Sequence, residues 1–427
     1  MTTLLLDTGT TGSPFRVDGS TTQSSMDVRD HGKDLHVLML PSYYQTRHRP
    51  YNGAFFRDWA CALQSAGVRI GIAYLETRGI RELSLRALWE THFQTTSNSE
   101  DGLPTVRVAG WNTLSQWTAG GLVWARLTQR VIRAYIERHG RPDIVAAQSA
   151  TWAGHAAWLA NRELGLPYAI TEVNTGFGTG RVRGWEAAVS RRAFANAEAV
   201  VAISENLRTQ LRKFGGARQI ELIPCTVDDA YWTTPHTPRA RTPFTFYAQA
   251  HLSPRKGFDL LIRAFARRFR GDAGMRLVIG GGGEIQGSLE ALAASTGVRS
   301  QVTFLGAIPQ DAIRAAMWAA NCFVLPSHAE NFGVVLIEAL STGLPVISTR
   351  CGGPEDIIDD RVGLLLRPGD EEGLGEALVT MRNRPAPDPE PIRAYAVARY
   401  GYATIGGRLR DLYRGLLAAR AVERNVE

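Results

Sequence analysis

From Leu35 onward the chain alternates short apolar runs with longer stretches of helical spacing. LHVLMLP (35–41) is apolar but for His36, the pattern of a strand buried on both faces rather than one half-exposed to water. Phe55, Phe56, Trp59, Ala60 and Leu63 then recur at helical spacing, Gly67 closes the helix, and VRIGIAYL supplies a second strand. The same alternation continues through PDIVAAQ (142–148), a helix over about 153–164, YAITEV (168–173), a helix near 186–197, AVVAI (199–203), a helix near 205–214 and IELIP (220–224). A second series begins at TFYAQA (245–250). It runs through a helix from Asp259, RLVIGG (276–281), VTFLG (302–306), a helix from Asp311, CFVLPS (322–327), a helix from about Phe332 and PVISTR (345–350).

Strands that alternate with helices predict parallel sheets covered on both faces, so the fold class is α/β with two doubly wound, Rossmann-like domains in tandem. Residues 233–243, TTPHTPRARTP, hold three prolines and no apolar period, and mark the linker between a domain over 34–232 and one over 244–400. The last helical stretch, within 401–427, is free to pack back on the first domain. Residues 1–33 are rich in Ser, Thr, Gly and Asp and are expected to be a disordered tail, with Met26 an alternative start. In doubly wound sheets ligands bind beyond the carboxyl ends of the strands, which places the site in the cleft between the two domains.

Length agrees with that division: 427 residues is about three times the ~150-residue prior for one domain. A composition of 44% hydrophobic and 21% charged residues excludes wholesale disorder. No window is apolar enough to span a membrane and the start lacks a secretory pattern, so a cytoplasmic location is expected, with peripheral contact at the inner membrane face open. Cys61, Cys225, Cys322 and Cys351 are too scattered for a disulfide framework or a zinc site. A net charge of +7 favours anionic partners without naming them. The 48 basic residues include only three lysines, Lys33, Lys213 and Lys256, which draws attention to any lysine inside a motif.

The segment richest in chemistry is PSHAENFGVVLIEALSTGLPVISTRCGGPEDI, from Pro326 to Ile357. Glu330 ends a loop after a strand, Asn331, Phe332, Gly333 and Val334 open a helix, and Glu338 lies further along it. A glycine-opened helix start offers free N–H groups and a positive dipole end to a diphosphate. Two flanking carboxylates are then spaced to accept hydrogen bonds from sugar hydroxyls on either side of that diphosphate. By spacing alone, Glu330 reads equally well as a helix-terminal charge and Glu338 as a solvated one.

The pattern of Glu330, seven residues and Glu338, followed by ALSTGLPV and CGGPED, resembles the signature of glycosyltransferase family 4, retaining nucleotide-sugar transferases of GT-B fold. SENLRTQLRKFG, IELIPCTVD and LSPRKGFDLLIRAF extend the resemblance over nearly all of 35–420. It implies that Glu330 contacts the donor sugar, that Phe332, Gly333 and Val334 give backbone contacts around the diphosphate, and that Glu338 holds the ribose. Lys256 matches the lysine that binds the donor diphosphate, where a fixed cation stabilises the charge growing on the leaving group. Gly282, within the run Gly280–Gly283, resembles the donor-side loop or is part of a tight structural turn, and Ile308 resembles the segment that meets the nucleobase. Gly53, in Asn52-Gly53-Ala54, resembles the loop that reaches towards the diphosphate.

Departures from the family are equally specific. His251 stands where an arginine normally partners the lysine, with Arg255 as the alternative second cation. Gln148 and Ala146 replace family histidines after PDIV, and Val173 replaces one after Thr171-Glu172, which leaves Glu172, Asn174 and His155 as the nearest polar candidates. Arg47, His48 and Arg49 offer cations to an anionic acceptor or form a solvated loop. Trp111, Trp117 and Trp124 read as packing residues or an acceptor surface. No DxD sequence occurs, so no metal or other cofactor is expected.

The expected function is retaining transfer of a hexose-type sugar from a UDP- or GDP-sugar to a hydroxyl of a polysaccharide, lipid-linked oligosaccharide or small molecule, with no nucleic-acid partner. A catalytically silent nucleotide-sugar-binding subunit is the alternative. An NAD(P)-dependent oxidoreductase fits less well, because the glycine run fails the GxGxxG register.

Overall fold

The computed structural model describes residues 34–46, 52–78, 93–112 and 118–426. The tail at 1–33, Arg47, His48, Arg49 and Trp117 lie outside the described residues.

Eight strands form the first sheet: β1 (His36–Pro41), β2 (Arg69–Arg78), β3 (Gln94–Glu100), β4 (Leu103–Trp111), β5 (Ile144–Gln148), β6 (Tyr168–Glu172), β7 (Ala199–Ala202) and β8 (Ile220–Leu222). Their order is β3-β4-β2-β1-β5-β6-β7-β8. All six residues of β1 are buried, as its near-continuous apolar run requires of a strand paired in parallel on both sides, with β2 and β5. The exception to parallel pairing is β3, an exposed polar strand, QTTSNSE, that runs antiparallel to β4 at the sheet's edge. Helices α1 (Ala54–Ser65), α2 (Thr118–His139), α3 (His155–Leu164), α4 (Gly184–Asn196) and α5 (Glu205–Phe214) connect these strands. One turn of π-helix, Ala150–Gly154, leads into α3.

The second sheet has β9 (Phe244–Gln249), β10 (Met275–Gly280), β11 (Val302–Gly306), β12 (Cys322–Leu325), β13 (Val346–Thr349) and β14 (Gly363–Leu366) in the order β11-β10-β9-β12-β13-β14, all parallel. Its helices are α6 (Phe258–Phe269), α7 (Gln286–Ser295), α8 (Gln310–Ala319), α9 (Val334–Ser341), α10 (Pro354–Ile357), α11 (Glu371–Asn383) and α12 (Pro389–Tyr400). Phe246, Phe265 and Phe269 gather between sheet and helix, where α6 buries the apolar face set by its 3.6-residue repeat.

The connection at 233–243 has no regular structure, yet it is strapped down by Arg239, which donates to the carbonyls of Thr342 and Gly343 at 2.6 and 3.1 Å. Arg393 gathers three further carbonyls, from Trp232, Ser341 and Asp229, at 2.5, 2.8 and 2.6 Å. The final helix, α13 (Tyr402–Val426), lies against α1 of the first sheet. Gly406 makes this possible, because a Cβ there would fall 1.9 Å from the Ala62 carbonyl oxygen. Tyr402 adds a hydrogen bond of 3.2 Å to Asp58 and Arg410 one of 3.3 Å to the Ala66 carbonyl.

The four cysteines are free, with Cys225 and Cys322 buried. Among the described residues no helix is long and apolar enough to cross a membrane.

Candidate active site

The loops that leave β1, β5 and β6 surround a cavity of about 360 Å³ lined by Ser42, Tyr43, Ser149, Thr151, Trp152, Val173, Asn174, Thr175 and Glu186, with Arg255 reaching in from the second sheet's side. The strand ends therefore meet a cation from the opposite domain.

Backbone strain shapes one wall. Ser149 has φ +74°, a conformation L-residues seldom adopt, and it persists because its surroundings over-determine it. Glu172 supplies most of that restraint. Its buried carboxylate accepts from Ser149 Oγ at 3.1 Å and from the N–H groups of Ala150, Val173 and Asn174 at 2.8, 2.9 and 2.8 Å. Burial raises its pKa and these donors oppose the rise. This corrects the reading of Glu172 as a polar candidate to stand in for the missing histidine on the acceptor side: its acceptor capacity is spent on the loop, and it positions Ser149 and Val173. Gln148 is likewise buried at the end of β5, with Nε2 on the Ala146 carbonyl at 3.5 Å and Oε1 unpartnered, and it does not line the cavity. His155 is buried and stacked on Trp158 at 5.5 Å, so it does not replace the imidazole missing at Val173. Asn174 does line the cavity, while its Oδ1 accepts from the Gly176 N–H at 2.7 Å. Gly53, at φ +73°, opens α1; a Cβ there would sit 2.7 Å from the Tyr43 carbonyl oxygen.

On the facing side, Lys256 ends a short 3₁₀ turn and forms an ion pair with Glu330, 74 residues away. Both side chains are nearly buried, at 15% and 10% exposure, and Ser327 Oγ donates to the same carboxylate at 2.8 Å. Gly333, at φ +97°, takes the left-handed turn that lets α9 begin at Val334, leaving that helix's first N–H groups without intrahelical partners. The Phe332 side chain turns away to pack against Tyr400, at 5.8 Å. Asn331 Nδ2 donates to the Val173 carbonyl at 2.7 Å and so ties the two halves of the site together.

Glu338 is half-buried on α9, and burial pushes its carboxyl up to about 8, with the Asp58 charge adding to the rise. No hydrogen bond from the described residues supports its charged form.

The glycine run resolves into two roles. A Cβ at Gly280, Gly281 or Gly283 would lie within 1.9 to 2.1 Å of oxygens on Gln249, Ala250 or Leu252, whereas one at Gly282 would meet only Ala307, at 3.6 Å. Close packing explains the first three, whereas a Cβ at Gly282 would make only ordinary contact with Ala307, whose chain neighbour Ile308 is half-buried. His251 departs from expectation. It is 68% exposed and its Nε2 meets Glu284, on the loop that follows the glycine run, at 3.2 Å, and among the described residues Arg255 is the cation that lines the cavity.

Aromatic packing behind the cavity was not legible in the sequence. Trp152 lines the cavity and meets Trp124 and Trp185 edge-on at 5.8 and 5.9 Å, so Trp124 is a packing residue and Trp152, at the centre of the stack, is the one that reaches the cavity. The third member of the sequence set, Trp111, ends β4. Among the described residues no group of three or more His, Cys, Asp or Glu side chains is placed to hold a metal ion.

Two family models match the chain: glycosyl transferases group 1 over residues 235–396 and the glycosyl transferase 4-like domain over 53–226. A GDP-mannose-dependent alpha-(1-6)-phosphatidylinositol monomannoside mannosyltransferase of Mycobacterium tuberculosis is 30% identical over 252 residues, 54% of this chain and 66% of that protein's own length. The glycogen synthase of the same species is 29% identical over 337 residues, covering 74% of this chain and 78% of that protein. Among solved structures, the sucrose-phosphate synthase of Thermosynechococcus elongatus superposes with a TM-score of 0.67 at 21% identity, covering 90% of this chain and all of that one. HepE of Anabaena in complex with UDP gives 0.67 at 20% identity, covering 89% of this chain and all of that one.

Proposed function

The chain belongs to the group 1 glycosyltransferases and has their GT-B fold, and from that premise we propose that it transfers a hexose-type sugar from a UDP- or GDP-sugar to an acceptor hydroxyl, with retention at the anomeric carbon. The observation that carries this reading is the meeting of Lys256 with Glu330 beside the start of α9, with Glu338 on the same helix. A cation and a helix N-terminus converge where a diphosphate's charge grows as the glycosidic bond breaks. Glu330 then accepts from the sugar and Glu338 from the ribose, while Arg255 supplies the second positive charge. The leaving phosphate takes the acceptor proton on the same face of the sugar, so no side-chain nucleophile is required. The acceptor enters through the cavity at Trp152 and Asn174. Relatives whose names specify a mannosyltransferase on a phosphatidylinositol monomannoside and a glycogen synthase support a saccharide or lipid-linked acceptor.

Thermal-shift screening against UDP, GDP and their sugars tests the donor assignment, because a ligand bound only to the folded chain raises Tm. One nucleotide series should stabilise the protein, and radiolabelled transfer should follow with the same donor. Binding without transfer or donor hydrolysis would identify a silent subunit instead.

Glu338→Gln should weaken the plain nucleoside diphosphate by about 10- to 100-fold, the range for one hydrogen bond to a charged group, while Glu330→Gln should weaken chiefly the sugar-bearing donor. A ribose hydroxyl favours the charged carboxylate, so binding draws the Glu338 pKa down from about 8. Affinity should therefore rise with pH from the bound-state pKa up to about 8 and level off above it, and Glu338→Gln should lose that rise. Calorimetric titration of both proteins, with the phosphate's own ionisation subtracted, reads this directly. Because cationic side chains and a helix start neutralise the diphosphate in this scheme, transfer should survive a chelator. Loss of activity restored only by added divalent metal would overturn that part.

A further inference from the structure

One face of the first domain combines features that its packing does not use. At the start of α2, Leu122 and Val123 stand side by side at 48% and 40% exposure, two of the four large apolar side chains that are exposed among the described residues. Arg126, Arg130 and Arg133 follow on the same stripe, since spacings of four and three residues return to one side of a 3.6-residue helix. Arg126 and Arg133 are 74% and 51% exposed, and both approach Glu163 of α3, at 3.7 and 3.0 Å. Arg162 and Arg192 flank them, each stacked over the Trp158 ring at 5.3 and 5.1 Å. Five arginines thus stand against Glu163 and, at the far end of the stripe, Glu137.

This face is continuous with the cavity. Gly121, the residue before the apolar pair, lies so close to Trp185 that a Cβ would fall 2.4 Å from its ring. Trp185 meets Trp152, and Trp152 lines the cavity.

We propose that Leu122 and Val123 insert into an anionic lipid surface while the arginines of α2 bind its head-group phosphates, which brings the Trp185–Trp152 end of the cavity to the bilayer. Charge and shape select this occupant. An apolar tip followed by cations on one stripe matches an interface in which acyl chains lie beneath a negative layer, and a cavity mouth beside the tip suits an acceptor carried on lipid. The proposal extends the transfer reading by assigning where the acceptor is met, and it rests on that reading for the role of the cavity alone.

Sedimentation of the full chain with vesicles tests it without donor or acceptor, so its failure and the failure of the transfer reading are separate results. The protein should pellet with phosphatidylcholine vesicles containing roughly a third phosphatidylglycerol, should remain in solution with phosphatidylcholine alone, and should be released by salt, because surface cations are screened within a Debye length. Arg126→Gln with Arg130→Gln should weaken binding about 25-fold, or about fivefold per cation. Leu122→Ser with Val123→Ser should weaken it about tenfold or more through lost apolar insertion. Both pairs lie on an exposed face and should keep the parental Tm and the nucleotide-induced shift. No binding to the anionic vesicles, equal binding to neutral ones, or no effect of either pair would overturn the proposal. Conversion of a dimer to a monomer by Leu122→Ser with Val123→Ser, with vesicle binding unchanged, would assign the face to a second copy of this chain instead.

Discussion

Lys256→Ala should lower sugar transfer by about 100- to 1000-fold, the usual loss when one preorganised group facing a transition-state charge is removed. Geometry makes the effect twofold. In the unliganded site the lysine holds Glu330, and both are nearly buried, so the variant also strands a carboxylate whose remaining hydrogen-bond partner is Ser327. A buried charge left without its partner is costly, and folding stability should fall by about 3 kcal/mol. Adding Glu330→Gln should recover part of that stability while leaving transfer as poor as in the single variant. Urea unfolding of the two proteins beside single-turnover transfer separates the roles. Equal stability in the two would show that the stranded Glu330 carboxylate costs nothing, and stability equal to the parental protein in both would show that the ion pair contributes nothing to the fold. Near-normal transfer in Lys256→Ala would remove the lysine from the mechanism. Lys256→Arg should restore little, because a planar guanidinium does not place its charge where a compact ammonium stood.

The largest effect on folding is expected from Glu172→Ala. Removing the buried carboxylate leaves Ser149 Oγ and the N–H groups of Ala150, Val173 and Asn174 without their acceptor. Each unsatisfied buried donor costs about 1 to 3 kcal/mol, which makes at least about 4 kcal/mol a fair expectation. That approaches the whole stability of many domains. Glu172→Gln should be milder, near about 2 kcal/mol, because it keeps one carbonyl oxygen for the donors now on Oε1 and turns an amide N–H against Ala150. The urea midpoint measures both. If Glu172 were instead a proton acceptor in the reaction, Glu172→Gln would abolish turnover at an unchanged midpoint, and the positioning role would be wrong.

What was legible in the sequence follows from which physical signals are local. β1, β5, β6 and β12 announce themselves because a strand buried on both faces is apolar along most of its length, with polar residues confined to its ends. β3 gives no such signal. Its seven residues, QTTSNSE, are held by ladder hydrogen bonds to β4 at an exposed edge, and such bonds leave side-chain choice free. α2 carries a local signal, since Trp124, Thr128, Val131 and Tyr135 recur at helical spacing and are buried, but grouping Trp124 with Trp117 and with Trp111 of β4 obscures that period.

The site divides in the same way. Glu330, Gly333 and Glu338 form a motif because one helix start carries all three, and Lys256 stands out by its residue type. Their contacts are another matter. Lys256 finds Glu330 across 74 residues, and Asn331 finds the Val173 carbonyl across 158. Glu172 reads in the sequence as a free carboxylate near the end of a strand, because only the register of β5 beside β6 brings Ser149 and Ala150 to it. The contact of His251 with Glu284 likewise depends on how the loop after the glycine run folds.

The return of α13 to α1 has a consequence for how the chain is made. Ile405, Leu409 and Tyr413 are buried with the first domain's core, so that domain lacks part of its cover until α13 has been made. At about 5 to 20 residues per second, the ribosome needs roughly 9 to 36 seconds to pass from Leu222 at the end of β8 to Tyr402 at the start of α13. During that interval the outer face of α1 stays exposed beside a finished sheet, open to chaperones and to aggregation. The domain translated first is thus the one completed last.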